Sequence, residues 1–280
     1  MTIFEAYNSI KKQFRDAGFS EDVFEAKQII KYITGYTNNQ ILTGYSEQLN
    51  DFQISNLNMI MKQRLKHYPL QYILGKWDFY GREYRVGPGV LIPRQDTETV
   101  IEICLDSIKN TKNPQILDLC AGTGCIGITL AGEREDSNCL LVEKYKEAAA
   151  YITENIKYNA PENVKLIMGD IFETAGGDRK YDLIVSNPPY ISADEMEELQ
   201  PEVQFEPDTA LYGGEDGLMF YRAIAVNYHG SLKTGGTLVF EIGYKQANAV
   251  KEIMQTAGYK DIRVKKDISG NDRVVFGTVN

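Results

Sequence analysis

The chain has 280 residues, 43% of them hydrophobic, with 30 basic and 39 acidic side chains and a net charge of −9. That length suits one large domain plus a small one, and no apolar run approaches the ~18–20 residues of a membrane span. The acidic balance disfavours broad contact with a nucleic-acid backbone, which is bound by neutralising phosphates, and fits a protein or small-molecule partner better.

The start, Met1-Thr2-Ile3-Phe4-Glu5-Ala6, lacks the charged head and apolar run of a signal peptide. Residues 1–72 are helical in pattern. Phe4, Tyr7, Ile10 and Phe14 recur at helical spacing. Ser20 is placed to cap a second helix carrying Val23, Phe24, Ala26, Ile29, Ile30 and Ile33. Ser46 is placed to cap a third, with Leu49, Phe52, Leu57, Ile60, Met61 and Leu65 on its apolar stripe and Ile54 off it. Thr37-Asn38-Asn39 reads as a break between helices. The whole is expected to be a small helical bundle, with His67 a surface or capping residue before Tyr68-Pro69.

At residues 73–93 the period changes. Trp77, Phe79, Tyr84 and Val86 flank Tyr80-Gly81-Arg82, the signature of a hairpin, here read as a linker. Asp96 or Thr97 then caps a helix running to about Lys109. From about 114 strand and helix patterns alternate, which predicts a mainly parallel sheet in a domain spanning 94–280. The candidate strands are 115–119, 138–143, 164–168, 181–186, 237–242, 261–265 and 273–278. The last two are close enough in sequence, around Ser269-Gly270-Asn271, to pair antiparallel. Helices start near Gly124, Tyr145, Gly217 and Tyr244.

Chemistry gathers at the C-terminal ends of these strands, where open α/β sheets bind ligands. The first ends in Asp118-Leu119-Cys120-Ala121-Gly122-Thr123-Gly124, a glycine-rich turn into an apolar helix. Its glycines let the backbone approach a ligand closely. The second ends in Glu143, placed like the ribose-binding acid of Rossmann-like sites. The third is followed by Gly169-Asp170, where Asp170 reads either as a ligand contact or as a solvated loop acid. Together they point to an adenosine-containing ligand. Four cysteines in so long a chain read as reduced thiols of a cytoplasmic protein, and no metal site is expected at Cys120 or Cys125.

The fourth strand ends in Asn187-Pro188-Pro189-Tyr190. Two prolines fix φ at about −65° and offer no N–H, so the turn is stiff and rich in acceptors. The Asn187 carboxamide oxygen and the Pro188 carbonyl are suited to accept the two N–H bonds of a planar –NH2 group, with Tyr190 stacking on it. A methyl donor beside a clamped –NH2 needs such a turn; a nicotinamide site does not.

At these residues the chain resembles the seven-stranded, Rossmann-like class of S-adenosylmethionine-dependent methyltransferases. More closely it resembles the glutamine methyltransferases of peptide chain release factors, the PrmC/HemK family. The resemblance rests on Pro69-Leu70-Gln71-Tyr72-Ile73-Leu74-Gly75, Phe79-Tyr80-Gly81, Val90-Leu91-Ile92-Pro93-Arg94 with Asp96-Thr97-Glu98, the glycine loop, the four-residue turn, and Glu206-Pro207 with Ala210-Leu211. It departs where Cys120 and Ala121 replace the first Gly and Thr of the family loop, and where Gln95 replaces a Pro.

The resemblance implies an α/β methyltransferase sheet with an N-terminal helical domain that docks the substrate protein. It implies S-adenosylmethionine as cofactor and S-adenosylhomocysteine as product, and as substrate the glutamine of the Gly-Gly-Gln motif of a release factor. Carried over, Cys120, Ala121, Gly122, Thr123, Gly124, Glu143, Asp170, Ile171 and Asn187 hold the cofactor. Asn187, Pro188 and Tyr190 are catalytic, and with Pro189 they bind the substrate amide. Arg94 and Glu98 match family positions without a derived role. A monomer that binds neither membrane nor nucleic acid is expected. The acidic segment from Ile191 to about Asp216 reads either as a substrate-presenting loop or as a solvated connection. Three further readings stay open: a glutamine methyltransferase acting on a ribosomal protein, an adenine amino-methyltransferase acting on DNA or RNA, and a non-catalytic S-adenosylmethionine-binding adaptor.

Overall fold

The computed structural model describes residues 1–159, 162–173 and 179–280. The chain forms two compact units: Met1–Gly75 with Pro201–Phe205, and Lys76–Gln200 with Glu206–Asn280.

The first unit is helical: α1 (Ile3–Asp16), α2 (Asp22–Thr34), α3 (Asn38–Thr43), α4 (Asp51–Arg64) and α5 (Leu70–Leu74). In α1 a capping box of Thr2 and Glu5 closes the N-terminus, and Ile3, Ala6, Ile10 and Phe14 are buried at helical spacing. Several sequence expectations shift by a few residues. Thr37-Asn38-Asn39 does not break the chain; Thr37 caps α3, in a box with Gln40. Asn50, not Ser46, caps α4 through Gln53. Starting later turns the stripe, so Ile54 packs on the core while Phe52 is 74% exposed. Glu21, not Ser20, precedes α2, without a side-chain cap.

A buried ionic cluster crosses this core. Arg64, 4% exposed, donates to both oxygens of Glu25 at 2.6 and 2.8 Å and to Glu202 at 3.0 and 3.1 Å. Its guanidinium lies 4.2 Å from the Phe19 ring centre. His67, expected as a surface or capping residue, is partly exposed and also tied into this cluster. Its φ is 62°, its ring stacks on Phe19, and its Nδ1 is 3.0 Å from Glu202.

The second unit opens with a hairpin, β1 (Lys76–Phe79) and β2 (Arg82–Arg85), turning at Tyr80 and Gly81, both at positive φ. Phe79 and Tyr84 are buried in the core of this unit, and the Tyr84 hydroxyl is 2.7 Å from Thr129. Then come α6 (Glu98–Ser107), β3 (Gln115–Leu119), α7 (Cys125–Glu133), β4 (Asn138–Glu143), α8 (Lys146–Asn159), β5 (Val164–Met168) and β6 (Tyr181–Ser186). After β6 follow α9 (Ala193–Met196), α10 (Asp208–Leu211), α11 (Met219–Asn227), β7 (Leu232–Glu241), α12 (Ala247–Thr256), β8 (Lys260–Lys266) and β9 (Asp272–Thr278).

The strands form one sheet in the order β5-β4-β3-β6-β7-β9-β8. The first five are parallel neighbours, and β9 runs antiparallel to both β7 and β8. Alternate side chains feed two cores. Ile116, Leu183, Val185, Val239 and Val274 join the one that contains α6, α7 and α8 residues. Leu117, Ile184, Leu238, Phe240 and Val275 join the one containing α11 and α12 residues. This is the period-2 pattern of a sheet covered on both faces. The order reverses direction at β3, whose neighbours β4 and β6 carry the chain outward to either side. Ligands of open α/β sheets sit at such a switch point.

Arg64→Ala leaves Glu25, 8% exposed, as an unpaired buried charge. It is expected to destabilise the helical unit by about 3 kcal/mol, read as a fall in its urea midpoint. A change within experimental error would mean the cluster contributes nothing net.

Candidate active site

The loop leaving β3 is shaped by left-handed backbone. Cys120, Gly122 and Gly124 have φ of 59°, 59° and 78°. At Gly122 an added Cβ would meet no heavy atom within 4 Å, so the backbone there borders open space. Cys120 holds the same conformation with a side chain, a cost that glycine would avoid.

Two carboxylates tie this loop to its strands. Asp118, 1% exposed, accepts the Gly127 N–H at 2.9 Å and so anchors the first turn of α7. Burial pushes its pKa up to about 7. Glu143, at the end of β4, accepts the Gly122 N–H through Oε2 at 2.9 Å. Its Oε1 accepts the N–H groups of Lys144 and Tyr145 at 2.8 and 2.9 Å. Three backbone donors fix the carboxylate, and a lone pair of Oε2 is left over. Asp170 is paired: Oδ2 lies 2.8 Å from Lys144 Nζ and Oδ1 accepts the Phe172 N–H at 3.0 Å. Burial raises its pKa, but these two partners outweigh burial and hold it below the ordinary value.

These residues line one cleft of ≈ 950 Å³, open mouth included. Cys120, Ala121, Gly122, Thr123, Glu143, Asp170, Ile171, Asn187 and Pro189 line it. Gly124, Pro188 and Tyr190 are not among its lining residues. Gly124 instead begins α7, where its missing side chain leaves room for Ile128 and Leu141. Tyr190 packs on the core shared with α11 and α12.

The turn after β6 is held by backbone at close range. The Ser186 hydroxyl donates to the Leu119 carbonyl at 2.7 Å. Ile191 donates to Leu211 O at 2.9 Å and accepts from Gly213 N at 2.8 Å. A Cβ on Gly213 would lie 2.7 Å from Tyr190 Cα and 2.8 Å from Pro189 O. One on Gly217 would overlap the Tyr190 carbonyl. Gln246 joins the pieces. Its Nε2 donates to Tyr190 O at 2.9 Å and Gly217 O at 3.2 Å, and its Oε1 accepts from Gly243 N at 3.0 Å. So braced, the turn presents Asn187 to the cleft. Among the described residues the Asn187 Oδ1 is buried and has no hydrogen-bond partner.

Sequence reasoning missed Gln246, Thr97 and Glu241. Glu241 ends β7, next to the turn: Ser186 pairs with Phe240, so Asn187 and Glu241 follow in register. The only sequence signal for Glu241 is an acid at the end of a very apolar strand. The two unassigned family positions find different partners. Arg94 pairs with Glu206, whose other oxygen accepts the Ile92 N–H at 3.0 Å. Glu98 accepts the Tyr80 N–H at 2.9 Å and so holds the hairpin turn.

Comparison with known proteins shows the family. A family described as PrmC N-terminal domain matches residues 5–75, and one described as Methyltransferase small domain matches 94–203. A release factor glutamine methyltransferase of Thermodesulfovibrio yellowstonii is 40% identical over 262 residues, 92% of this chain and 93% of the relative. The chain belongs to the release factor glutamine methyltransferase family. Another member, from Fusobacterium nucleatum subsp. nucleatum, is 37% identical over 274 residues, 97% of this chain and 77% of its own. The crystal structure of a methyltransferase from Pyrococcus furiosus is 19% identical with a TM-score of 0.54. It covers 71% of this chain and 90% of that one, and speaks to the fold alone.

Gly217→Ala forces the turn away from Gln246 and is expected to cost at least ~1 kcal/mol. Gly230→Ala, where the new Cβ meets no heavy atom within 4 Å, is the control and should stay within about 0.5 kcal/mol. Thermal melts of the two variants test this. Equal melting temperatures would mean that the close approach at 217 does not constrain the turn.

Proposed function

We propose that this chain transfers a methyl group from S-adenosylmethionine to the side-chain amide nitrogen of the glutamine in the Gly-Gly-Gln motif of peptide chain release factors. The observation that carries the reading is Asn187, which lines the cleft beside the 120–124 loop and whose buried Oδ1 has no hydrogen-bond partner among the described residues. A buried acceptor left open costs free energy unless a ligand supplies the donor. A glutamine amide supplies N–H.

The residues fit the cofactor. The open backbone at Gly122 accommodates close approach, and the free lone pair of Glu143 Oε2 suits a ribose hydroxyl. Phe172 and Ile171 offer apolar surface beside Asp170 for an adenine ring. When bound, S-adenosylmethionine supplies a methyl group already activated as a sulfonium, and S-adenosylhomocysteine remains after transfer.

What the chain itself contributes is position. Asn187 Oδ1 and the Pro188 carbonyl accept the two amide protons, which fixes the plane and direction of the nitrogen. Pro189, in the cleft wall, stiffens the turn, and Tyr190 holds it from behind. Burial raises the Tyr190 phenol far above its usual range, so the turn holds no base at neutral pH. The nitrogen loses its extra proton to solvent after the N–C bond has formed. The helical unit docks a second surface of the factor. The four cysteines are free, as suits a cytoplasmic protein. No helix of the described residues is long and apolar enough to cross a membrane.

The test is transfer of labelled methyl from S-adenosylmethionine to a purified release factor and to the same factor with its motif Gln changed to Asn. Label is expected on the unaltered factor only, reduced about 10²-fold or more by Asn187→Ala. Label on DNA, RNA or a ribosomal protein instead would overturn the substrate.

A further inference from the structure

Glu241 is 2% exposed at the C-terminal end of β7, one strand across from the turn. The preceding residues, Ser186 and Phe240, are paired in the sheet, which sets Asn187 and Glu241 side by side. The side chains of Thr97 and Asn187 act on its carboxylate as donors do, lowering its pKa. An Asn side chain donates only through Nδ2. Two buried acceptor atoms stand without partners at this point among the described residues: Asn187 Oδ1 and Glu241 Oε2.

Those facts constrain the amide. An ionised carboxylate is an acceptor only. Were the Asn187 carboxamide turned over, Oδ1 would face the Glu241 carboxylate, and two buried acceptors would meet with no proton between them. Nδ2 would then face the cleft and oppose an incoming –NH2, donor against donor. We infer that Glu241 is a positioning residue, which holds the Asn187 carboxamide by its Nδ2 and thereby makes Oδ1 the atom offered to the substrate amide. This deepens the methyl-transfer reading and rests on it for the identity of the substrate.

Protonation of Glu241 would undo the constraint, because a carboxylic acid also donates and so accepts either amide orientation. Burial pushes the Glu241 carboxyl up to about 7, while Thr97, the Arg273 charge and Asn187 pull it down and Asp96 pushes it up. Arg273 comes from β9 and is itself paired with Asp96 and Asp267 at 3.2 and 3.1 Å. The Tyr221 hydroxyl, from α11, donates to the Glu241 backbone carbonyl at 2.9 Å. Tyr190 also lies within reach of its charge. The ionised, orienting form is present above about pH 7 and is lost as pH falls through that value.

Two measurements on the full chain test the assignment. The first follows the side-chain amide signal of Asn187 by ¹⁵N NMR on the protein alone, assigned by its loss in Asn187→Ala. It is expected to shift with pH around about 7 in the natural protein and to stay fixed in Glu241→Gln. The second is single-turnover methyl transfer to a release factor. The natural enzyme should lose rate as pH falls below about 7 and stay nearly flat above it. Glu241→Gln, which still offers an acceptor, should keep part of the rate and lose that pH dependence. Glu241→Leu should fall about 10²-fold, with affinity for S-adenosylmethionine by calorimetry unchanged within about twofold. An Asn187 signal that does not move with pH would overturn the assignment. So would a folded Glu241→Leu that transfers methyl as fast as the natural enzyme. If Glu241→Leu fails to fold, the NMR comparison with Glu241→Gln decides alone. If the signal titrates but the natural enzyme labels no release factor, Glu241 keeps its role and the substrate reading is what fails.

Discussion

The site depends on how closely the backbone at 213–217 approaches the turn after β6. Side chains are excluded there: a Cβ at Gly213 or Gly217 would run into Pro189 or Tyr190. The space that glycine leaves is used for hydrogen bonds. Ile191 donates to Leu211 and accepts from Gly213, and Gln246 spends both N–H bonds on carbonyls of the two facing pieces. Proline stiffness within the turn and this brace behind it act together. Neither would fix Asn187 alone, since a stiff turn on a loose stem still swings.

A second constraint acts on the other half of the cleft. Asp118 and Glu143 are both bonded to N–H groups of the loop and helix that follow β3. The loop is thus preorganised by charge as well as by glycine conformation, and little reorganisation remains for binding. The cost is visible in Asp118, whose burial raises its pKa to about 7. Departure of the loop from the family pattern at Cys120 is tolerated, at φ 59°. The small side chain sits in a conformation that glycine would adopt without strain.

Much of this was legible in the sequence. β3, β4 and β6 fall where short apolar runs place them, because buried parallel strands carry largely apolar sequence, and β5 falls at its run too although it is a mostly exposed edge strand. The residues that end those strands were legible too, since they are the polar residues that interrupt the apolar runs. The helical unit was less clear. Its caps at Thr37 and Asn50 compete with equally good candidates nearby, and at α4 it is Ile54 rather than Phe52 that packs on the core. Contacts set by register were not legible at all. Glu241 meets Asn187 because β6 and β7 pair in one alignment, and Arg94 finds Glu206 across a long stretch of chain. Gln246 has no pattern of its own; its role exists only once three loops converge.

In the proposed reaction Asn187 Oδ1 is the acceptor for an amide N–H of the substrate. The most direct measurement is calorimetric binding, with S-adenosylhomocysteine present, of a release factor with its natural motif glutamine and of one carrying glutamate there. The glutamate brings a carboxylate against Asn187 Oδ1, acceptor against acceptor. The glutamine form is expected to bind at least ~10-fold tighter, with that preference lost in Asn187→Ala. Equal affinity for the two factors in the natural enzyme would contradict it.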